Sequence, residues 1–246
     1  EPDDMIRHLH TIKAKTVCDA GCGCGAYALK LAENGFDVCG FDVAAPAVEL
    51  AQNLLQDAGI QAELKVASVL STGYEENWFD GVLSRDVLDH MTKHDAKNAL
   101  KELVRIARPG GSVIVTVDFV DEEYEAEPHT VNQDGDFCFT AGKWSGMVFH
   151  PYSAEELQGI VPEGVGCAIK SMPGGIYMEL TKNIGGNKNR RCRKDEWCKA
   201  ERRLRLRGAF GSGRDLGRLF SLMLSALVRQ DFDPSTVLEV VRRTIY

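Results

Sequence analysis

Short apolar runs alternate with longer amphipathic segments over the first 118 residues of the chain. The apolar runs predict five strands, and the amphipathic segments predict helices that end near Gly35, Gly59 and the turn at 108–111. Strands that alternate with helices in this order form βαβ units and a parallel sheet. The predicted strands are 16–19, 37–41, 63–66, 79–84 and 112–118, and the predicted helices are 26–34, 45–58 and 93–107.

The alternating pattern breaks over residues 119–152, which are rich in acidic, glycine and aromatic residues. Segments of this length are too long for a plain connection and usually form functional lids or are disordered. Ser153 followed by Glu156 then predicts the start of a helix with a capping box. Two further strands, 166–171 and 175–181, bring the number of predicted strands to seven. The fold class expected from the pattern is α/β.

The sharpest chemical signal is the segment DAGCGCG at 19–25, between the first predicted strand and the first predicted helix. Glycines there let the backbone turn sharply and approach a ligand, while the helix start offers free N–H donors. Asp42 ends the second strand, where a carboxylate can accept both hydroxyls of a ribose. Gly21, Gly23 and Ala26 also satisfy the dinucleotide-binding pattern, so two ligand classes fit these residues.

Further blocks extend this signal. Asp19 precedes the first glycine, Gly25 completes GxGxG, FDGVLSRDVLDHM covers the fourth strand and ARPGGSVIV leads into the fifth. Together these blocks resemble the class I S-adenosylmethionine-dependent methyltransferases over residues 8–182. The resemblance implies a Rossmann-like, seven-stranded, mostly parallel sheet with helices on both faces. It also implies methyl transfer from S-adenosylmethionine to an O or N atom of an unidentified small-molecule acceptor. An NAD-type oxidoreductase and a non-catalytic cofactor-binding protein are the alternatives.

The resemblance further implies which residues contact the cofactor. The glycine loop would pack against its methionine part and ribose, with Asp19 near the amino group, Asp42 on the ribose hydroxyls and Val43 beside the adenine. Many members have an acidic residue in the turn after the third strand, where this chain has Ser68. The backbone at 84–85 would face the methionine end. The expected cofactor-binding residues are Asp19, Gly21, Gly23, Gly25, Asp42, Val43, Ser68, Val69 and Arg85.

A second group of chemically active residues, Asp86, Asp89 and His90, follows the fourth strand, where the reacting methyl group would lie. Methyl transfer is an in-line displacement that needs a base only if the acceptor is protonated, and Asp86 and His90 are the expected catalytic residues. The DxxDH spacing is similar to the ExxEH run that binds a divalent ion in some ubiquinone-pathway O-methyltransferases. Asp86, Asp89 and His90 could therefore hold Mg²⁺. Capping of the next helix by an aspartate is the alternative.

Segment 119–152 would cover the acceptor pocket, as insertions after the fifth strand often do in the superfamily that the chain resembles. His129 and His150 within it are further candidates for a base. The aromatic side chains of this stretch could equally serve to pack it onto the sheet. They are Tyr124, Phe137, Phe139, Trp144, Phe149 and Tyr152.

The formal net charge of -7 is unevenly distributed. Residues 1–181 contain 13 Lys and Arg against 29 Asp and Glu, whereas residues 182–246 contain 16 against 7. The charge reverses where the resemblance ends, so we expect a boundary there, with the methyltransferase domain that the resemblance implies at 1–182 and a basic helical extension at 183–246. The Arg-rich and Lys-rich stretch 188–207 could bind RNA, which makes an RNA methyltransferase an alternative function. We favour a solvated basic face, or one docked on the acidic domain, over RNA binding. The final two helices have apolar faces that should dock on the first domain or form a homodimer.

The eight cysteines are too few for a disulfide scaffold and lack paired CxxC spacing, so we expect reduced thiols and a cytoplasmic protein. The apolar run at 219–228 is too short to span a bilayer, and no membrane partner is expected. The chain begins EPDD, which does not resemble a signal peptide, and the absent initiator Met indicates missing upstream residues.

Overall fold

The computed structural model describes residues 3–120 and 122–183. Its strands are β1 (Thr16–Ala20), β2 (Asp37–Asp42), β3 (Glu63–Val66), β4 (Phe79–Arg85), β5 (Ala107–Asp118), β6 (His129–Val131), β7 (Phe137–Phe139), β8 (Val148–Phe149), β9 (Val165–Met172) and β10 (Gly175–Lys182). Its α-helices are α1 (Asp4–Thr11), α2 (Ala26–Glu33), α3 (Ala45–Asp57), α4 (Lys93–Ile106), α5 (Glu122–Ala126) and α6 (Ala154–Ile160). A 3₁₀ turn, Leu88–His90, joins β4 to α4.

Seven strands form one sheet in the order β3-β2-β1-β4-β5-β10-β9. The first five strands along the chain pair in parallel, whereas β10 runs antiparallel to both β5 and β9. The predicted α/β class with a seven-stranded, mostly parallel sheet is confirmed. The strand order changes direction beside β1, and the crevice outside the carboxyl ends of β1 and β4 is the general place for a ligand in such sheets.

Helices cover both faces of the sheet because each presents one apolar stripe. On one face, α1, α2 and α3 bury residues such as Leu9, Leu31 and Leu54. On the other face, α4 and α6 bury Leu103 and Leu157 with the neighbouring strand residues. The carboxyl ends of the parallel strands are left uncovered by these helices, and the candidate site lies there.

Helices α4 and α6 both begin at capping residues that the sequence supplies locally. The Thr92 hydroxyl accepts a hydrogen bond from the Asp95 amide and so caps the start of α4. At α6, the Ser153 hydroxyl accepts from the Glu156 amide while the Glu156 carboxylate accepts from the Ser153 amide. The predicted capping box is confirmed.

The insertion (residues 119–152) is an ordered element among the residues described. It contains α5 and a three-stranded antiparallel sheet in the order β6-β7-β8. Four aromatic side chains form its own small core, in which Tyr124 stacks on Trp144 and on Phe149. The strands are only two or three residues long, too short to produce a periodic signal in the sequence.

Two local features differ from the sequence prediction. The sequence pattern does not predict helix α1. Strand β5 begins at Ala107 and includes the stretch 108–111, for which the pattern predicts a turn. Ala107 pairs with Phe79 and the register then shifts, which accommodates the glycines inside the strand.

No helix in the described ranges has the length and apolar character needed to cross a membrane. The predicted extension lies outside these ranges apart from Asn183.

Candidate functional site

The glycine loop leaves β1 and enters α2 with a backbone that most residues could not adopt. Gly21, Gly23 and Gly25 all have positive φ, at 79°, 52° and 87°. A Cβ on Gly25 would lie 2.7 Å from the Ala51 Cβ, so the loop also needs glycine for its packing on α3. The amides of Gly21 and Cys22 donate to the Phe41 carbonyl at 2.8 and 2.9 Å. These bonds hold the loop against the end of β2.

Asp42 organises the loop from the end of β2. Its Oδ2 accepts a hydrogen bond from the Gly23 amide at 3.0 Å, and its Oδ1 accepts from the Ala44 amide at 2.9 Å. A carboxylate oxygen has further lone-pair capacity after one such bond. Asp42 can therefore support the loop and still accept two hydroxyl groups from a ligand, as the sequence predicts.

Asp19, at the end of β1, is the most unusual acid of this site. Its side chain is 2% exposed, and its Oδ2 has no hydrogen-bond partner among the described residues. Burial raises the pKa of Asp19 to about 6, against the opposing effect of the Arg85 guanidinium. A buried polar atom without a partner is costly, which points to a ligand group that would satisfy it.

Arg85 and Tyr27 are neighbours of Asp19 and contact each other. The Arg85 guanidinium lies 4.2 Å from the centre of the Tyr27 ring. The Tyr27 hydroxyl donates to the carboxylate of Asp3, which caps α1. Tyr27 is a site residue that sequence reasoning missed, because an apolar-looking position in α2 carries no signal of its contact with Arg85.

The third part of this crevice is apolar and open. Val43 is 76% exposed directly after β2, and Val66 and Leu70 are also exposed at the end of β3 and beyond it. Exposed apolar side chains beside a polar loop suit a flat base. Ser68 uses its hydroxyl to accept from the Leu70 amide, and Val69 is buried in the core. The side chains of both residues thus already have contacts within the protein.

Three carboxylates meet at the carboxyl ends of β4 and β5. Asp86, Asp89 and Asp118 each offer an oxygen within 4.8 Å of the others, and we refer to them as the carboxylate trio. Asp86 has a positive φ of 53° and accepts a hydrogen bond from the Thr116 hydroxyl at 2.7 Å. Asp89 is fully buried and accepts from the Asp118 amide at 2.9 Å. Burial and the neighbouring Asp86 raise the pKa of Asp89 to about 8.

The acidic group in the structure differs by one residue from the predicted metal ligands Asp86, Asp89 and His90. Asp118, not His90, is the third group that lies with Asp86 and Asp89. The His90 ring instead packs edge-on against Phe149, with ring centres 5.7 Å apart, and burial lowers its pKa. Asp118 ends a strand parallel to β1, as Asp42 does, so strand position could have revealed it. The comparisons below give no support to Mg²⁺ as a cofactor.

The insertion docks on the 3₁₀ turn through a second buried pair. The His150 amide donates to the Asp89 carbonyl at 2.8 Å. The His150 Nδ1 lies 2.8 Å from the Asp136 Oδ1, and both side chains are fully buried. Asp136 also accepts from the Asn132 side chain and the Lys93 amide. His150, a candidate base in the sequence, therefore joins the insertion to the 3₁₀ turn directly and to the start of α4 through Asp136.

His129, the other candidate base, lies elsewhere in the insertion. Its ring stacks on Phe137 with centres 4.4 Å apart, and its Nδ1 lies 2.8 Å from the Glu127 carbonyl. It is not part of the carboxylate trio. The arrangement gives it a packing role within the small sheet.

Comparison with known proteins agrees with this geometry. Residues 17–111, from β1 to the start of β5, match the family described as "Methyltransferase domain". Over these residues the chain is similar to the methyltransferases that its sequence blocks resemble. A solved S-adenosylmethionine-dependent methyltransferase from Methanosarcina mazei has the same fold. It aligns with a TM-score of 0.62 and 20% identity, over 75% of this chain and 99% of that one.

Two curated relatives of this methyltransferase domain have different named acceptors. One is a tRNA (carboxymethyluridine(34)-5-O)-methyltransferase from Arabidopsis thaliana, 35% identical over 108 residues, which are 44% of this chain and 25% of that protein. The other is ajmaline N-methyltransferase from Rauvolfia serpentina, 29% identical over 117 residues, 46% of this chain and 38% of that protein. The aligned regions span well under half of either relative.

Proposed function

We propose that the chain transfers a methyl group from S-adenosylmethionine to a small-molecule acceptor. The observation that carries this proposal is a buried carboxylate oxygen of Asp19 that has no hydrogen-bond partner among the described residues. It lies at the carboxyl ends of the strands, where Asp42 supports the glycine loop. A cationic amino group, two vicinal hydroxyls and a flat base would satisfy Asp19, Asp42 and the exposed apolar side chains in turn. S-adenosylmethionine carries these three groups.

The residues present fit this cofactor. Asp19 would accept from the methionine amino group, Asp42 would accept from the ribose hydroxyls, and Val43 would pack on the adenine. The start of α2 and the glycine loop would approach the ribose and methionine chain closely. When bound, the cofactor supplies an activated methyl group on a sulfonium. The protein's own contribution is to orient the acceptor and to exclude water from it.

The carboxylate trio and His90 lie on the acceptor side of this arrangement. Asp86 is partly exposed at the end of β4, so we propose it as a residue that contacts the acceptor. Burial lowers the pKa of His90, which favours its neutral form at pH 7. In that form the ring can accept a proton. The insertion would shield this region, because its own core and the His150 contact hold it against the 3₁₀ turn.

Charge favours a small molecule over RNA as the acceptor. The region up to residue 181 is strongly acidic, and three carboxylates lie where the acceptor would bind. Such a surface repels a polyanion. The likeness to a tRNA methyltransferase and the basic stretch 188–207 support RNA as the second candidate. Residues 188–207 lie outside the described ranges.

Calorimetric titration with S-adenosylmethionine, S-adenosylhomocysteine and NAD tests the cofactor. We expect both adenosyl compounds to bind and NAD not to bind. Asp42→Ala should weaken binding at least about tenfold, or 1.4 kcal/mol. Asp37→Ala, an exposed acid at the other end of β2, serves as the matched control and should bind normally. Tighter binding of NAD, or equal affinity in the two variants, would contradict the proposal.

Incubation of the full chain with labelled S-adenosylmethionine and bulk tRNA tests the acceptor class. We expect no label in the RNA and no salt-sensitive retention of the protein on it. Label in tRNA would establish RNA as the acceptor and give stretch 188–207 its function.

Two further proposals concern the rest of the chain. We infer a cytoplasmic location, supported by the free thiols of the six described cysteines. We also propose that residues 183–246 form a separate basic extension that docks on the acidic domain or mediates a homodimer. Light scattering over a range of concentrations would show the dimer as a mass near twice 27.1 kDa.

A further inference from the structure

The acceptor side of the crevice contains two buried polar atoms that have no partner among the described residues. One is Asp89 Oδ1, on a side chain with no exposed surface, and the other is the Tyr152 hydroxyl, on a side chain 3% exposed. They come from different parts of the chain, the 3₁₀ turn and the segment between β8 and α6. Each such group costs free energy unless a ligand or a change of conformation satisfies it.

These two groups are neighbours, because the Tyr152 ring packs edge-on against His150 with ring centres 4.3 Å apart and the His150 amide donates to the Asp89 carbonyl. Burial raises the pKa of the Tyr152 hydroxyl most, and the nearby carboxylates of Asp136 and Asp89 raise it further. Asp89 in turn lies with Asp86 and Asp118 in the carboxylate trio. The phenol is therefore independent evidence that the trio faces a place for a ligand. A lone acidic cluster on a surface would have no buried, unsatisfied hydroxyl beside it.

Hydrogen bonding restricts what the trio can take. One oxygen of Asp86 already accepts from the Thr116 hydroxyl, and one oxygen of Asp89 accepts from the Asp118 amide. The remaining capacity of Asp86 is for donors, because an ionised carboxylate only accepts. Burial beside Asp86 favours the neutral form of Asp89, and a bound cation would favour its ionised, accepting form. Three acidic side chains thus lie together, each with an oxygen within 4.8 Å of the others.

We propose that the carboxylate trio binds the amino group of an amine acceptor, so that the chain is an N-methyltransferase. This inference rests on the proposed methyltransferase function. A protonated amine offers three N–H donors, one for each carboxylate, and its positive charge matches theirs. Hydrated Mg²⁺ is the competing ligand for the same oxygens, but it keeps several waters. The fully buried Asp89 suits the smaller N–H group better.

The trio also supplies what transfer to an amine requires. A protonated nitrogen has no free electron pair, so one proton must first pass to a carboxylate. The nitrogen pair then forms the new N–C bond while the S–C bond breaks and its electrons remain on sulfur. Asp86 and Asp118 are partly exposed, so they can return the proton to water. The products are a methylated ammonium and S-adenosylhomocysteine.

Matched probes that differ in one atom test this proposal. Benzylamine with benzyl alcohol, and tryptamine with tryptophol, are titrated into the full chain saturated with S-adenosylhomocysteine. Each amine should bind at least about tenfold more tightly than its alcohol. Asp86→Asn and Asp118→Asn should each remove most of that preference. Asp134→Asn, an exposed acid of the insertion, is the control and should retain it.

The outcomes separate this proposal from the one it rests on. Retained binding of S-adenosylhomocysteine and an unchanged thermal midpoint would show that the Asp86 and Asp118 variants are folded and that the cofactor site is intact. Equal binding of amines and alcohols, or binding of the alcohols only with Mg²⁺, would overturn the amine proposal alone. Failure of the wild-type chain to bind S-adenosylhomocysteine would overturn the methyltransferase function itself.

Discussion

The cofactor end and the acceptor end of the crevice are built in different ways. At the cofactor end, a single stretch of seven residues and one acid on the next strand supply the loop, its support and the charges. At the acceptor end, the trio combines Asp86 just after β4, Asp89 in the 3₁₀ turn and Asp118 at the end of β5. The insertion contributes His150 and Tyr152. A ligand shared by many enzymes is bound by one local motif. A particular acceptor is bound by residues far apart in the sequence.

Substitution of Gly25 should have the largest effect on stability, because this residue lies in the glycine loop. Gly25→Ala places a Cβ 2.7 Å from that of Ala51 and forces a side chain into positive φ. We expect a loss of about 2 to 5 kcal/mol in the free energy of unfolding, measured in urea. Gly35→Ala is the matched control, with a similar φ of 85° and nothing within 4 Å of the added carbon. It should cost only about 1 kcal/mol. Equal losses would show that packing on α3 does not matter.

The buried pair at the acceptor end provides the next test. Asp136→Asn removes the charge that faces His150 and weakens three hydrogen bonds of the insertion. We expect a loss of about 1 to 3 kcal/mol with unchanged affinity for S-adenosylmethionine. The exposed neighbour Asp134, changed to Asn, should leave stability within about 0.5 kcal/mol. A comparable loss of cofactor affinity in Asp136→Asn would contradict the independence of the acceptor end from the cofactor end.

A pH titration of cofactor binding sharpens the role of Asp19. Its carboxylate has a pKa of about 6, so it is charged above pH 6 and neutral below it. Affinity for S-adenosylmethionine should be flat above pH 7 and fall by up to about tenfold per unit below pH 6. Stability of the free protein changes in the opposite sense for this group. Because burial raises the pKa of Asp19 above its ordinary value, the ionised side chain destabilises the folded state. Protonation at low pH removes this destabilisation.

Asp19→Asn is the variant that checks this assignment. It should bind the cofactor weakly and lose the dependence on pH between 5 and 7. Retention of the same pH profile in Asp19→Asn, measured by calorimetry, would assign the titration to another group.

The smallest expected effect concerns the helix that follows the insertion. Ser153→Ala removes the hydroxyl that accepts from the Glu156 amide at the start of α6. We expect a loss of about 1 kcal/mol in the free energy of unfolding, with cofactor affinity unchanged. Urea unfolding that showed no loss would mean that water replaces the cap without cost.

The sheet and the cofactor end were predictable because their signals are local. Strand ends, the glycine loop and Asp42 follow from periodicity and from glycine positions within a few residues. The trio was only half predicted: Asp86 and Asp89 share a turn, whereas Asp118 reaches them through the pairing of β4 with β5. The Asp136 and His150 pair depends on how the insertion folds on itself. A sequence pattern contains no measure of such contacts between distant residues.

The most direct test of the account is a crystal structure of the full chain with S-adenosylhomocysteine. We predict that the methionine amino group lies within hydrogen-bonding distance of Asp19 and the ribose hydroxyls within that of Asp42. The sulfur should face the carboxylate trio. A ligand bound in the reverse direction, with its adenine beside Asp19, or bound away from the glycine loop, would contradict the assignment of the two ends.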